Sequence, residues 1–258
     1  MVNSGRSRGG SGEWEQPFWQ QRGWILSAGF LLVLVILSGF ALMTRNGGDT
    51  TEGSGSPTPS RSSAQDGKKG GKSGQDDRPA GCHTDDSDQT KPTAPPKDFS
   101  WKAVGTDLVP VSKSAGPLKF DGPVWSCFAH TPTGAVFAAH AIPHHFGYAG
   151  WRDVAERQVV PGPGRDAFIA NREKQQDASA SGQPDGSGYA GFSILSYSKR
   201  EATVMLLIRV PDTDQYGSLS VTVRWQDGDW KVAPDQDGAV YSGGARVDGT
   251  DGFVTWGA

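Results

Sequence analysis

The spacing of apolar residues changes character several times along the chain, and each change marks an element. From Trp24 to Met43 the chain reads WILSAGFLLVLVILSGFALM, without a charged side chain. At helical rise about twenty such residues cross a hydrocarbon core of roughly 30 Å, so the run predicts one transmembrane helix, residues 23–43. Residues 44–98 carry almost no large apolar side chains and much glycine, serine, proline and mixed charge. Such a segment buries too little surface to fold and predicts a disordered linker. As a flexible chain of about 55 residues it spans on the order of 40 Å, enough to hold a domain clear of a bilayer.

From Phe99 aromatic and branched residues return. Residues 99–128 have short apolar pieces broken by proline and glycine, which predicts irregular, surface-wrapping structure with room for one short strand. GAVFAAHAI (134–142), GWRDVAERQVV (150–160) and GRDAFIANREKQQ (164–176) predict three helices. In the second, Trp151, Val154, Ala155 and Gln158 recur at helical spacing, and PGPG at 161–164 breaks the chain before the third. Past residue 188 the period drops to two, in YAGFSILSYS, EATVMLLIRV, YGSLSVTVRWQ and DWKVAP. These predict strands, joined by SKRE (198–201), by residues 211–217 and by QDGD (226–229), whose Asp-Gly pair suits a tight primed turn. Helices followed by a meander predict an α+β domain, residues 99–258, whose helices cover one face of a curved antiparallel sheet.

Composition and charge set the surroundings. A hydrophobic content of 35% with 36 glycines and 17 prolines is low for a wholly globular chain of 258 residues, in keeping with the long linker. The formal net charge of −3 offers no overall basic surface, so no direct nucleic-acid partner is expected. Arg6, Arg8 and Arg22 precede the apolar run and Arg45 alone follows it closely. That bias makes residues 1–22 a cytoplasmic tail and puts the large C-terminal part outside a cell membrane crossed once. The run is too long for a cleavable signal peptide and closes with Leu42, Met43, Thr44 and Arg45, so a retained signal anchor in the lipid bilayer is expected. Trp14, Phe18, Trp19 and Trp24 crowd its inner flank, where amphipathic rings settle at headgroup level. Gly23 and Ser27 form a small-xxx-small pair of the kind that brings helices together, which allows a homo-oligomer. Cys82 and Cys127, the two cysteines, both fall on the outer side. A disulfide is allowed there, and two independent thiols, with Cys127 a small buried hydrophobe, are the alternative.

The strand, turn and strand in SVTVRWQDGDWKVAPD (220–235), closing a meander that follows helices, resembles the nuclear transport factor 2-like, or cystatin-like cone, superfamily over roughly residues 130–240. A short tail, one anchor and a tether ahead of such a domain are similar to the bitopic assembly proteins of type IV secretion and conjugation machines. GPVWSCFAHTPTGAVFAAHAI (122–142) and PGPGRDAF (161–168) also resemble an uncharacterised membrane-protein family of high-GC Gram-positive bacteria. These resemblances imply a scaffold or assembly subunit of a cell-envelope machine, for conjugative transfer or secretion. Its partners would be other membrane or secretion-channel proteins, and it would have no enzymatic activity and no cofactor. The long tether and residues 99–128 have no counterpart in the minimal cone fold.

The stretch FAHTPTGAVFAAHAIPHHF (128–146) holds four of the five histidines. His140 and His144 have the i, i+4 spacing of a helical zinc pair. Pro143 lies between them and biases Ile142 away from helix, and adjacent His144 and His145 should point apart. Cys127, Asp153 and Glu156 would have to be folded in to complete a site. The expectation is therefore no metal, with His140 capping an apolar helix and His144 and His145 in an exposed turn. A cone enzyme would place its acid or base inside the cone, nominating His140, Tyr148 and Asp153. PGPGRD lacks the Lys-Ser/Thr ending of a phosphate loop, and the calcium-like start at Asp212 has Tyr216 and Val223 at the fifth and twelfth positions. No catalytic, cofactor or metal residue is assigned. The alternative function is an anchored cone domain that binds or transforms a small ligand. An open cone with converging polar groups favours that reading, and a cone filled by its own side chains favours the scaffold.

Overall fold

A computed structural model describes residues 78–181, 188–210 and 213–257. The predicted transmembrane helix of residues 23–43, the tail before it and the linker as far as residue 77 lie outside them. Among the described residues no helix is long and apolar enough to cross a membrane.

The domain is α+β. Two hairpins come first: β1 (Phe99–Val104) pairs antiparallel with β2 (Asp107–Ser112), and β3 (Lys119–Asp121) with β4 (Val124–Ser126). This corrects the expectation of irregular structure over residues 99–128. Prolines and glycines there break the alternation, but Gly105 and Gly122 supply the positive φ of the two turns, so the short pieces between them pair locally.

Helix α1 (Pro132–His145) starts where Thr131 Oγ1 accepts the Gly134 N–H at 3.0 Å, with Pro132 in the first turn. Gly134 is required there, since a Cβ would stand 1.9 Å from the Ala129 carbonyl oxygen. Nearly every residue of α1 is buried, which explains its lack of an amphipathic stripe. The helix does not stop before Pro143, as the sequence predicts, but runs through it to His145. Pro143 falls in the last turn, where it removes one intrahelical bond, and burial of Ile142 and His145 offsets that loss. Helices α2 (Trp151–Gln158) and α3 (Pro163–Arg172) follow. Trp151, Val154, Ala155 and Gln158 are the buried residues of α2, the four at helical spacing.

The sheet is built from β5 (Tyr189–Tyr197), β6 (Glu201–Arg209), β7 (Tyr216–Gln226), β8 (Asp229–Val232), β9 (Tyr241–Val247) and β10 (Val254–Thr255). Its order is β10-β5-β6-β7-β8, all antiparallel, and β9 also pairs with β7, beside residues 216–221 while β8 takes residues 223–226. Asp227 and Gly228 both have positive φ, 53° and 77°, as a primed two-residue turn requires. Helix α1 packs on β5 to β8 and on β2 and β4. Phe128, Phe137, Ile142, Phe192, Leu206 and Trp230 form the centre of the core.

Residues 78–98 belong to this packed structure although their composition assigns them to the linker. The Cys82–Cys127 disulfide ties them down, so the pairing left open by the sequence is made. Arg78 bonds Asp86 and Thr84, the Asp86 carboxylate accepts the His130 N–H at 2.8 Å, and Gln89 donates to the His130 carbonyl at 2.8 Å. Polar side chains thus do the holding, which a search for apolar residues does not detect. Replacing both cysteines by serine should destabilise the domain by about 4 kcal/mol in the chain-entropy picture, read from denaturant unfolding. It should also open residues 78–98 to protease under conditions in which the oxidised chain resists.

Candidate functional site

The histidines are the first candidates, and burial separates them from solvent. His140 lies in the middle of α1 and is fully buried; it does not cap the helix. Its Nδ1–H donates to the Val136 carbonyl at 2.8 Å, and its Nε2 accepts from Trp256 Nε1 at 3.3 Å. Both nitrogens are used, so the ring is fixed in one neutral tautomer. Burial lowers its pKa to about 4. His145 is also buried, not in an exposed turn, with its ring edge-on to Trp125 at 4.6 Å. Burial, and then the neighbouring His144, lowers its pKa to about 3.

His144 is half-buried at the junction of α1 and the β1–β2 hairpin. Its Nδ1 stands 3.3 Å from the Tyr189 hydroxyl and its Nε2 3.5 Å from Asp107 Oδ2. Tyr148 donates to the same carboxylate oxygen at 2.7 Å, and burial followed by this contact pushes the Tyr148 phenol up to about 12. Burial holds His144 below its usual value against the pull of Asp107. This seam gathers His140, His144 and Tyr148 of the residues read from the sequence, and leaves out Asp153, exposed on α2. Asp107 and Tyr189 complete it, and nothing in their local sequence marks them, since the fold alone brings the hairpin and β5 to α1. Chemically the seam can hold protons on its rings and pin the hairpin to the helix.

No group of three or more His, Cys, Asp or Glu side chains is placed to hold a metal ion among the described residues, and Cys127 is engaged in the disulfide. His130 lies apart, stacked on Trp225 at 3.8 Å.

Among the described residues, two surface clefts are lined by charged side chains. One, of about 450 Å³, lies between the PGPG turn and the sheet and is lined by Arg165, Glu201, Thr222, Arg224 and Asp235. Its floor is close because Gly164 abuts the Asp235 carbonyl, where a Cβ would stand 2.6 Å away. The other, of about 370 Å³, lies between α2 and the β7–β8 turn and is lined by Glu156, Arg157, Gln158, Asp227, Asp229 and Lys231 among others. Asp229 accepts the N–H groups of Cys127 at 2.6 Å, Phe128 at 3.0 Å and Trp230 at 3.0 Å. Burial nevertheless pushes its carboxyl up to about 6.

A family model described as a domain of unknown function, DUF8175, matches residues 62–255. The chain belongs to that family. The DUF8175 match takes in residues 78–98, which the disulfide holds, and runs through β10. No curated protein and no solved structure matches the chain. The residues of this DUF8175 domain that sequence reasoning passed over, Asp107, Tyr189, Gln158 and Asp229, come from four separate elements. Only Asp229, in its Asp-Gly-Asp turn, carried a local signal.

The buried imidazoles predict the response to acid. Their folded pKa values lie below the ordinary 6.5, so above about 6.5 neither state holds the proton and stability is complete. Below that the unfolded chain takes up protons that the core refuses, and stability falls until about pH 4 for His140 and about 3 for His145. Each ring contributes a slope of about 1.4 kcal/mol per pH unit. Asp229, raised to about 6, acts in the opposite sense between 6 and 3.8, because the folded state binds its proton first. Two rings outweigh one carboxyl, so the denaturant midpoint should drop between neutrality and mild acid, and His145→Asn should flatten the slope.

Proposed function

We propose that the chain is a single-pass, membrane-anchored scaffold or assembly subunit of a cell-envelope machine, for conjugative transfer or secretion, and that its outer domain acts through protein–protein contacts. The observation that carries this reading is the filling of the sheet by α1. Val136, Phe137, His140 and Ile142 are fully buried, and Trp256 packs on Phe137, His140 and Phe192 at 5.5, 5.1 and 4.8 Å between ring centres. In a cone-like domain this is the interior that a ligand would need, and the protein's own side chains occupy it. The domain then meets its surroundings through its surface, where β6 and β7 present the Glu201–Arg224 pair and the adjoining Thr203 and Thr222. The net charge of −3 and the absence of a basic stripe in the sequence fit protein partners better than nucleic acid. The anchor at residues 23–43 and the polar chain after it fit a domain held at a distance outside the membrane. The second reading, a domain that takes a small ligand, has in its favour the cleft beside Gln158, which is lined by charged side chains of both signs.

The assembly reading is tested on detergent-solubilised membranes by native electrophoresis. Wild-type chain should migrate within a larger complex, and Arg224→Glu should release it while changing stability by only about 0.5 kcal/mol, since the Glu201–Arg224 pair is exposed. A wild-type chain that migrates alone would remove the basis of this reading. Topology is tested separately: protease added to intact protoplasts should digest the chain beyond Arg45, and protection of the large domain would reverse the assignment.

A further inference from the structure

From Ser242 to residue 257, Trp256 is the one buried side chain. It packs on Phe99, Phe137, His140 and Phe192 at 5.3, 5.5, 5.1 and 4.8 Å between ring centres, and its indole N–H meets His140 Nε2 at 3.3 Å. The rest of its attachment is short. Val254 and Thr255 pair with Phe192 and Gly191 at the edge of β5, and the Trp256 N–H donates to the Ala190 carbonyl at 3.1 Å. Ahead of them, residues 248–253 leave β9, which lies beside β7, and carry the chain to the opposite edge of the sheet. Gly249 and Gly252 in that loop have nothing within 4 Å of where a Cβ would stand. A segment attached by one side chain and a two-residue strand opens at lower cost than the core it covers.

What the segment covers has the two parts of a strand-recognition site. One is a sheet edge, the backbone of β5 at residues 190–192. The other is an aromatic pocket with one acceptor aimed inward: His140 donates through Nδ1 to the Val136 carbonyl, which leaves Nε2 to accept from an indole. Gly191 sets the approach, because a Cβ there would stand 2.6 Å from the Val254 carbonyl oxygen. Emptied, the site presents an open strand edge beside several ring faces, a surface that pairs readily with another chain. The segment that fits it without any change is the same segment of a second copy.

We infer that residues 253–256 form an exchangeable strap, and that two copies of the chain pair by trading it, each Trp256 seated in the other's site. Every contact made within one copy is remade between two, so the exchange needs no new complementary surface. The connecting loop, residues 248–253, is short enough to favour the exchanged form. The pairing uses the edge of β5 and does not rest on the assembly reading, whose test is at Arg224.

The test is light scattering on the detergent-solubilised full chain over a range of concentrations, with and without a capped peptide of residues 251–257, DGFVTWG. Wild-type chain should show a dimer whose share rises with concentration. The peptide at about 5 mM, comparable with the effective concentration of a tethered segment, should dissolve that dimer after overnight equilibration. The same peptide with alanine in place of its tryptophan should not. Inserting Gly-Ser-Gly-Ser after Gly249 should weaken dimerisation about tenfold, because a longer loop lets each strap return to its own copy. The insertion lies where a side chain would meet nothing, so it keeps the fold. A chain monomeric at every concentration, a dimer that survives either the peptide or the insertion, or one that the alanine peptide dissolves equally well overturns the proposal.

Discussion

The Asp229 carboxylate accepts three backbone N–H groups, two from the Cys127–Phe128 segment and one from Trp230. That single buried group joins the start of β8 to the chain entering α1, about a hundred residues away. Cys127 has φ 71°, a left-handed conformation rarely adopted outside glycine, and the two carboxylate bonds to this corner help hold it there. Trp230, the next residue, turns its indole N–H onto the Ala129 carbonyl at 2.9 Å and fills the centre of the core. From there Thr131 caps α1, and α1 covers the sheet. A corner, a disulfide, a helix start and the last hairpin therefore share one anchoring carboxylate, which explains why a charged group is kept in the interior despite the cost of burying it.

The strands of the meander are legible because branched and aromatic residues recur in them with a period near two, and because Asp227-Gly228 specifies its turn. The three helices are legible from their apolar spacing, although α1 exceeds its prediction at Pro143, where packing outweighs a local preference. The hairpins of residues 99–126 fail to show because β3 and β4, of three residues each, have no period to read, and β1 and β2, of six, carry Pro110 and mixed side chains that blur theirs. Residues 235–257 gave no strand signal either, since β9 is mostly glycine and small exposed residues and β10 is only two residues long.

The sites were less legible than the fold, for a related reason. Four histidines in one stretch are conspicuous, yet what decides their chemistry is whether Trp256, Trp125, Tyr189 and Asp107 surround them. The Gln158 amide is the opposite case: it sits at a core position of α2 and reads as packing, and only its Oε1, buried without a hydrogen-bond partner, distinguishes it.

The disulfide also has a mechanical meaning. Tension applied to the chain ahead of Arg78 reaches Cys82 and crosses the covalent bridge to Cys127, bypassing the residues between them, which include both hairpins. Those hairpins lie outside the load path, and the force is delivered to the corner that Asp229 secures. The domain is thereby shielded from unravelling from its N-terminal side: a pull strong enough to peel β1 from β2 has nothing to act on until the bridge is reduced.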